Sequence, residues 1–531
     1  MPAEISSRAF RLGVAASSLA LASLLLARAN AWPAHEDEVV TLAVSDRPVG
    51  ELLDVVLTER GGAPLHFLLA HAATAIEPGL LTLRLLSAVL AVAAVPVIAL
   101  LLARLAGRTT ALVATVLVCA SWMTLYHGLY GRMYSLFLLT SALSLLALLR
   151  ATRDSRWATW ATWGVASLAL AASHPYSAIV LAAEGAFALV LVAQRRLPAR
   201  APLLAFAATG VLAAPLWRAS AVLADRFDLG VGSGGKLGGP TGVAAYLRDV
   251  AADFTAGWVV TLVLFGLLAL AGLRSLARTR PDAAVLAACL VVVPAVALLV
   301  MRFGESAYPA TRHLIFVLPV ASLLVAAGLV RAAAATGPWR VHALAGGLAV
   351  LVACQLAWGW RQSPLLFAGE GPAREAARAQ AEAWLAANVR PDDVLFGFEP
   401  LYEGARERGA TLGRMVPRAD PKLAALALRQ AGKTLGHGIW VLDAGEATTP
   451  SLEIRDRSPG EEFETARFGP FMVVRTRAPE PSGARFLEDT RAVQVLAGRM
   501  GLRDAGLNYR TATVALAALE RDDLSAAGRG R

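Results

Sequence analysis

The chain has 531 residues, 56% of them hydrophobic and 17% charged, with a mean hydropathy of +0.55. Globular domains carry about 25% charged residues, so this composition excludes an ordinary soluble protein and points to the membrane. The net charge of +10 does not call for nucleic acid, because the basic excess sits in short connections between apolar runs, where it orients helices and meets anionic lipid.

In chain order, hydropathy predicts about eleven spans, each about 17–22 residues long, the length that crosses a hydrocarbon core. Their cores lie near 10–30, 81–103, 109–126, 132–150, 157–173, 175–194, 201–217, 256–274, 282–301, 311–331 and 340–359. Backbone polar groups in lipid must be satisfied within the segment, so these runs are helices. Arg8 and Arg11 precede the first run and Ala29-Asn30-Ala31 fits a small-x-small cleavage site. A signal peptide is therefore the alternative to an uncleaved helix there, although the run is long for a signal core.

Between the first and second spans lies an outer loop, 32–80, that opens on the acidic cluster Glu36-Asp37-Glu38. An amphipathic helix is predicted near Arg47–Leu57, and the stretch Pro64–Ile76 is too short to span comfortably. A second outer loop, 218–255, contains the Gly-rich stretch Leu229–Pro240. It lacks Walker spacing and no strand precedes it, so a flap near a substrate entrance is expected rather than a nucleotide site. Residues 1–360 form the membrane module and 361–531 a small α/β or α+β domain. In that domain, helices are predicted at Pro372–Asn388, 421–431 and 484–519, and strands around Asp393–Phe398, Gly438–Leu442 and Phe471–Arg475. Cys119, Cys289 and Cys354 fall in or beside apolar helices and support no disulfide or thiolate metal site.

One set of alternate connections is rich in arginine: Arg8, Arg11, Arg104, Arg108, Arg150, Arg153, Arg156, Arg195, Arg196, Arg200, Arg274, Arg278, Arg280, Arg331 and Arg340. The other holds most of the carboxylates, including Glu36, Asp37, Glu38, Asp46, Glu51, Asp54, Asp225, Asp228, Asp249 and Asp253. The positive-inside rule puts the first set, and the N-terminus, in the cytoplasm, and the acidic loop and C-terminal domain outside the cell membrane.

Trp32-Pro33-Ala34-His35-Glu36-Asp37-Glu38, in the first outer loop of a many-span chain, resembles the Asp-Glu signature of the GT-C glycosyltransferases. The likeness is to the family-39-like group that includes protein O-mannosyltransferases and aminoarabinose transferases. Ala63-Pro64-Leu65-His66-Phe67 resembles that group's Pro-Pro-Leu-Tyr-Tyr stretch, and Leu83-Arg84-Leu85-Leu86-Ser87 its Arg-Leu-Pro-Ser. Gly131-Arg132-Met133-Tyr134-Ser135-Leu136 resembles Ala-Arg-Met-Tyr-Ala-Leu, and Thr311-Arg312-His313-Leu314 with Leu318-Pro319 a late Arg-Tyr-Leu…Leu-Pro element. The order and spacing over roughly 10–340 carry the match. Ala63, His66, Tyr130 and His313 depart from it, which leaves the acceptor contacts open.

The resemblance implies a sugar donor linked to polyprenyl phosphate and an inverting transfer to an acceptor hydroxyl of a glycan, lipid or protein, outside the cytoplasmic membrane. A hydroxyl needs its proton taken, and a carboxylate in reach supplies the base. Asp37 is the candidate base, with Glu38 orienting the acceptor or Asp37; a solvated loop charge or a helix cap is the alternative for both. Arg132 and Arg312, with Arg84 more remote, are candidates for the leaving phosphate, since guanidinium forks pair with phosphate oxygens. Snorkelling is the alternative for the arginines. Tyr134, Tyr308, His174 and His66 are candidate sugar or phosphate contacts, with an aromatic belt as the alternative for the tyrosines. No ligand spacing is diagnostic for a metal, so no cofactor is assigned and a divalent ion is left open. A secondary transporter, or a non-enzymatic envelope-assembly protein, is the other reading. A transporter would show repeated halves and midplane charges, whereas here the charges cluster on one face.

Overall fold

The computed structural model describes residues 4–58, 62–227, 239–303, 311–418, 420–432, 435–446, 460–502 and 505–529. The chain forms two compact units. The first is residues 1–31 with 41–369, the second 32–40 with 370–531. The dividing line at 40/41 falls inside a helix.

The first unit is helical. It begins with α1 (Ser7–Arg28), the later part of α2 (Glu36–Ser45), α3 (Val49–Thr58), α4 (Pro64–Thr74), α5 (Leu80–Ala106) and α6 (Arg108–Ala120). There follow α7 (Trp122–His127), α8 (Tyr134–Asp154), α9 (Trp157–Ser173), α10 (Ser177–Ala193), α11 (Arg200–Phe227) and α12 (Gly239–Thr255). It ends with α13 (Val259–Thr279), α14 (Pro281–Phe303), a 3-10 segment Thr311–Val317 that leads into α15 (Leu318–Ala334), α16 (Arg340–Gln362) and α17 (Pro364–Ala368). Among the described residues, eight helical segments are long and apolar enough to cross a membrane: α1, α5, α8, α11, α13, α14, Thr311–Ala334 and Gly337–Gln362. The other three predicted spans are also helices but shorter. The first of them breaks at Ser121, whose ψ of 137° separates α6 from α7. The protein is thus a polytopic membrane protein with a small α/β domain.

Sequence boundaries shift at two places. α11 runs ten residues past the predicted span end, so the connection 218–255 is helical at both ends, through Phe227 and again in α12. The Gly-rich stretch from Leu229 to Lys236, Asp228 and Tyr308 lie outside the described residues. The predicted interfacial helices form as α3 and α4, and α3 buries Leu52, Val55 and Val56.

α15 is the most enclosed helix, with 89% of its apolar window buried. It meets α13 backbone to backbone. A Cβ on Gly272 would lie 1.9 Å from the Leu324 carbonyl oxygen, and one on Gly328 would lie 2.0 Å from that of Leu268. Small residues allow such an approach, the usual contact between membrane helices. The opposite device, polar side chains satisfied within the bundle, joins α8, α9 and α10. Buried Glu184 accepts from Ser144 Oγ at 2.8 Å and Trp163 Nε1 at 2.8 Å, and Ser144 also bonds Ser167 at 3.0 Å.

The second unit carries β1 (Val394–Phe396), β2 (Arg414–Val416), β3 (Gly438–Asp443), β4 (Phe463–Phe468) and β5 (Phe471–Thr476) in the order β2-β1-β3-β5-β4. β2, β1 and β3 are parallel, and β5 and β4 continue antiparallel. Alternation along the strands feeds two layers. Leu395, Ile439 and Val473 face α18 (Pro372–Asn388) and α19 (Pro400–Glu407). Phe396, Trp440 and Val474 face α20 (Pro421–Ala431), α21 (Gly483–Arg499) and α22 (Ala505–Arg529). The predicted helix 484–519 is two helices, α21 and α22, divided near Gly501, whose φ is +75°.

Beyond β5, Glu480 is 3% exposed, and its Oε1 has no hydrogen-bond partner among the described residues. Burial, and then the neighbouring Asp489 carboxylate, raise its pKa from 4.5 to about 8. The folded state therefore keeps a proton that the unfolded chain releases. This contribution to stability is full below about pH 4.5 and is lost as the pH rises through about 8. Glu480→Gln cannot ionise. Its melting temperature relative to the wild type should therefore climb between about pH 5 and pH 8 in thermal unfolding of the detergent-purified protein; a pH-independent difference would show that the fold does not raise the Glu480 pKa.

Candidate active site

The acidic cluster forms the first turn of α2, within the second unit. His35 caps it: its carbonyl accepts from Glu38 N–H at 2.9 Å and Val39 N–H at 3.1 Å, and its Nδ1 accepts from Asp37 N–H at 3.1 Å. Glu38 returns the contact, its Oε2 accepting from His35 N–H at 2.9 Å, and its side chain is fully buried. Glu38 thus makes the reaching-back half of a capping box, while the His35 ring caps Asp37 N–H, one position before the usual one. Glu38 caps the start of α2. Asp37 is half-buried one position earlier. Three carboxylates in a first turn also suit the positive end of the helix dipole.

Glu36 is held differently. Arg418, just after β2, donates from Nε to Glu36 Oε1 at 3.0 Å and from Nη2 to Oε2 at 2.5 Å. Its remaining nitrogen, Nη1, bonds Glu399, just after β1. The guanidinium is 19% exposed, so this two-sided fork is shielded from water. It joins the acidic turn to the carboxyl ends of two parallel strands across 382 positions of sequence.

In the first unit, five of the predicted donor contacts come together. The Arg312 guanidinium lies 6.0 Å from the Tyr134 ring centre, and the His174 ring 5.6 Å from it. Arg132 acts electrostatically on both His66 and His174, and it donates from Nη1 to Thr41 Oγ1 at 3.2 Å. Burial first, then the Arg132 charge, lowers the His66 pKa to about 3. Burial, followed by His313 and the two arginines, also holds His174 well below the usual histidine value. Both rings are therefore neutral at physiological pH, and the fixed charge among these five side chains is that of two arginines. Arg84, the sixth, is used elsewhere. It is fully buried, and its Nη1 donates to the Ala29 carbonyl at 3.0 Å, bracing α5 against the end of α1.

Sequence reasoning gave no site role to several members of this cluster. His313 stacks on Tyr176 at 4.4 Å and lies 6.2 Å from Tyr134. His127 lies 4.6 Å from Tyr134, 2% exposed, with neither ring nitrogen bonded to a described residue. Its proximity to Tyr130 in the chain was the available signal. The cluster unites guanidinium donors, neutral imidazoles and aromatic faces, a set suited to a phosphorylated sugar. Among the described residues, no group of three or more His, Cys, Asp and Glu side chains is arranged to hold a metal ion.

No protein-family model and no curated protein sequence matches the chain. Among solved structures it is similar to ArnT from Cupriavidus metallidurans bound to undecaprenyl phosphate, with a TM-score of 0.54 and 16% identity over 88% of this chain and 98% of that one. The chain shares the fold of that structure. Lower-scoring similarities are to the apo oligosaccharyltransferase of Archaeoglobus fulgidus (TM-score 0.49, 12% identity, 82% of this chain and 70% of that one). Another is to the mycobacterial arabinofuranosyltransferase AftD (TM-score 0.49, 16% identity, 91% of this chain and 42% of that one).

The Arg418 fork has a direct test. Arg418→Ala leaves Glu36 and Glu399 without their shared cation, so the first turn of α2 should open more often. Amide exchange at 36–40 should rise at least about tenfold, with Arg418→Lys in between because it keeps charge without the fork. Unchanged exchange in a folded Arg418→Ala protein would mean that the fork does not order this turn.

Proposed function

We propose that the protein is a membrane glycosyltransferase that moves a sugar from a polyprenyl-phosphate donor to an acceptor hydroxyl, with inversion at the anomeric carbon. The observation that carries this reading is the cluster of Arg132, Arg312, Tyr134, His66 and His174 within a GT-C fold. The ArnT structure was solved with undecaprenyl phosphate bound, a ligand of the class that such a cluster would recognise. Asp37 takes the acceptor's hydroxyl proton. The acceptor oxygen then bonds to the anomeric carbon as the bond from that carbon to the phosphate oxygen breaks. The phosphate leaves with the electron pair, and Arg132 and Arg312 stabilise its charge. Neutral His66 and His174 offer hydrogen bonds to sugar or phosphate without competing for the charge. By the arginine asymmetry of the connections, this chemistry faces outward from the cytoplasmic membrane, and the C-terminal domain is extracytoplasmic. That domain shapes the choice of acceptor.

Two variants test the two halves of the reaction. Asp37→Asn keeps size and most hydrogen bonding but removes the proton acceptor. Transfer from a synthetic polyprenyl-phosphate sugar should fall by roughly 10²–10⁴-fold, with donor binding retained. A folded Asp37→Asn enzyme at wild-type rate would move the base elsewhere. Arg312→Ala should weaken donor binding, and Arg312→Lys should recover only part of it, because lysine lacks the planar fork. Unchanged donor affinity in Arg312→Ala, and likewise in Arg132→Ala, would take these residues out of the phosphate site.

A further inference from the structure

The far end of the helical unit holds a second basic site. α8 has 21 residues, so its last turn lies roughly 30 Å from Tyr134 at its start. There the ends of α5, α8, α10 and α13 and the start of α14 enclose a cavity of about 1010 Å³. Arg104, Arg150, Arg153, Arg196 and Arg280 line it, with only Asp154 and Asp282 as carboxylates. Arg196 pairs with Asp282, its Nη2 donating to Oδ2 at 2.6 Å, and Arg150 lies 3.7 Å from Asp154. Arg104, Arg153 and Arg280 have no carboxylate partner among the described residues. The deeper wall is apolar: Phe187 is 1% exposed and Leu191 is 7% exposed.

Orientation and helix dipoles explain why arginines stand at these helix ends. They do not explain a cavity lined both by three cationic forks and by the apolar Phe187 and Leu191. We propose that this cavity binds the phosphate head group of an anionic membrane lipid, with Arg104, Arg153 and Arg280 as donors and Phe187 and Leu191 against the start of its chain. Guanidinium forks match phosphate oxygens, and basic pockets between membrane helices suit anionic head groups. A soluble anion would gain nothing from the apolar wall. The inference rests on the membrane architecture and not on the transferase reading, and none of its residues belongs to the Arg312 cluster.

The test is lipid binding to the full chain in detergent, followed by native mass spectrometry with dioleoyl phosphatidic acid and dioleoyl phosphatidylcholine as probes. Phosphatidic acid should bind at least about tenfold more tightly than phosphatidylcholine, and inorganic phosphate at millimolar concentration should not displace it. The variant R104K/R153K/R280K keeps the charge that orients the helices and should weaken phosphatidic acid about tenfold. If that variant does not fold, the single change R153Q, checked by thermal melting, should show a smaller loss in the same direction. Equal binding of the two lipids, or wild-type binding in the folded variants, would overturn the proposal. Displacement by inorganic phosphate would also overturn it, by showing a free-anion site. Sugar transfer by the same variants should stay at the wild-type rate, and Asp37→Asn should bind phosphatidic acid normally, so failure of one reading is visible apart from the other.

Discussion

A chain inside a bilayer can place a polar group only against another polar group, because no water is there to take it. Much of this protein's membrane unit follows from that constraint. Glu184 lies in the middle of α10 and is surrounded by Ser144 and Trp163 as donors. Arg84 is drawn to a backbone carbonyl at the end of α1. Arg132, Arg312, His174 and His313 stand at helix ends or in the connections between helices.

The acidic turn shows how one short segment meets two demands. Glu38 reaches back to the His35 N–H, so its carboxylate holds the backbone of α2 in place. Glu36 is gripped by Arg418, a residue of the second unit. Both flanking carboxylates are thereby fixed, and Asp37 stands between them on a turn with little freedom.

Long apolar runs made the membrane helices legible, since length and hydropathy suffice there. The strands β1, β3 and β5 were legible for a related reason: each carries a run of apolar or β-branched residues buried on both faces. β2 and β4 were not. Arg414–Val416 is three residues long with an exposed arginine, and Phe463–Phe468 alternates Glu, Thr and Arg with apolar residues. Both are edge strands, whose identity comes from a neighbour and not from their own composition. The site shows the same division. Arg132, Tyr134 and Arg312 stood in motifs of recognisable order. The meeting of His127, Tyr176 and His313 was not legible, because it joins α7, the turn before α10 and the 3-10 segment before α15, segments far apart in sequence. Arg418 had no signal at all, since its partner Glu36 is 382 positions away.

The glycine contact between α13 and α15 bears on how such a protein can change. Arg312 and His313 sit on the 3-10 segment that runs directly into α15. That helix is locked to α13 at Gly272 and Gly328, where no side chain intervenes to be repacked. The mount beneath one wall of the cluster therefore tolerates almost no substitution, because a side chain at either glycine would meet a backbone carbonyl. The two glycines would be the positions at which drift is least forgiven.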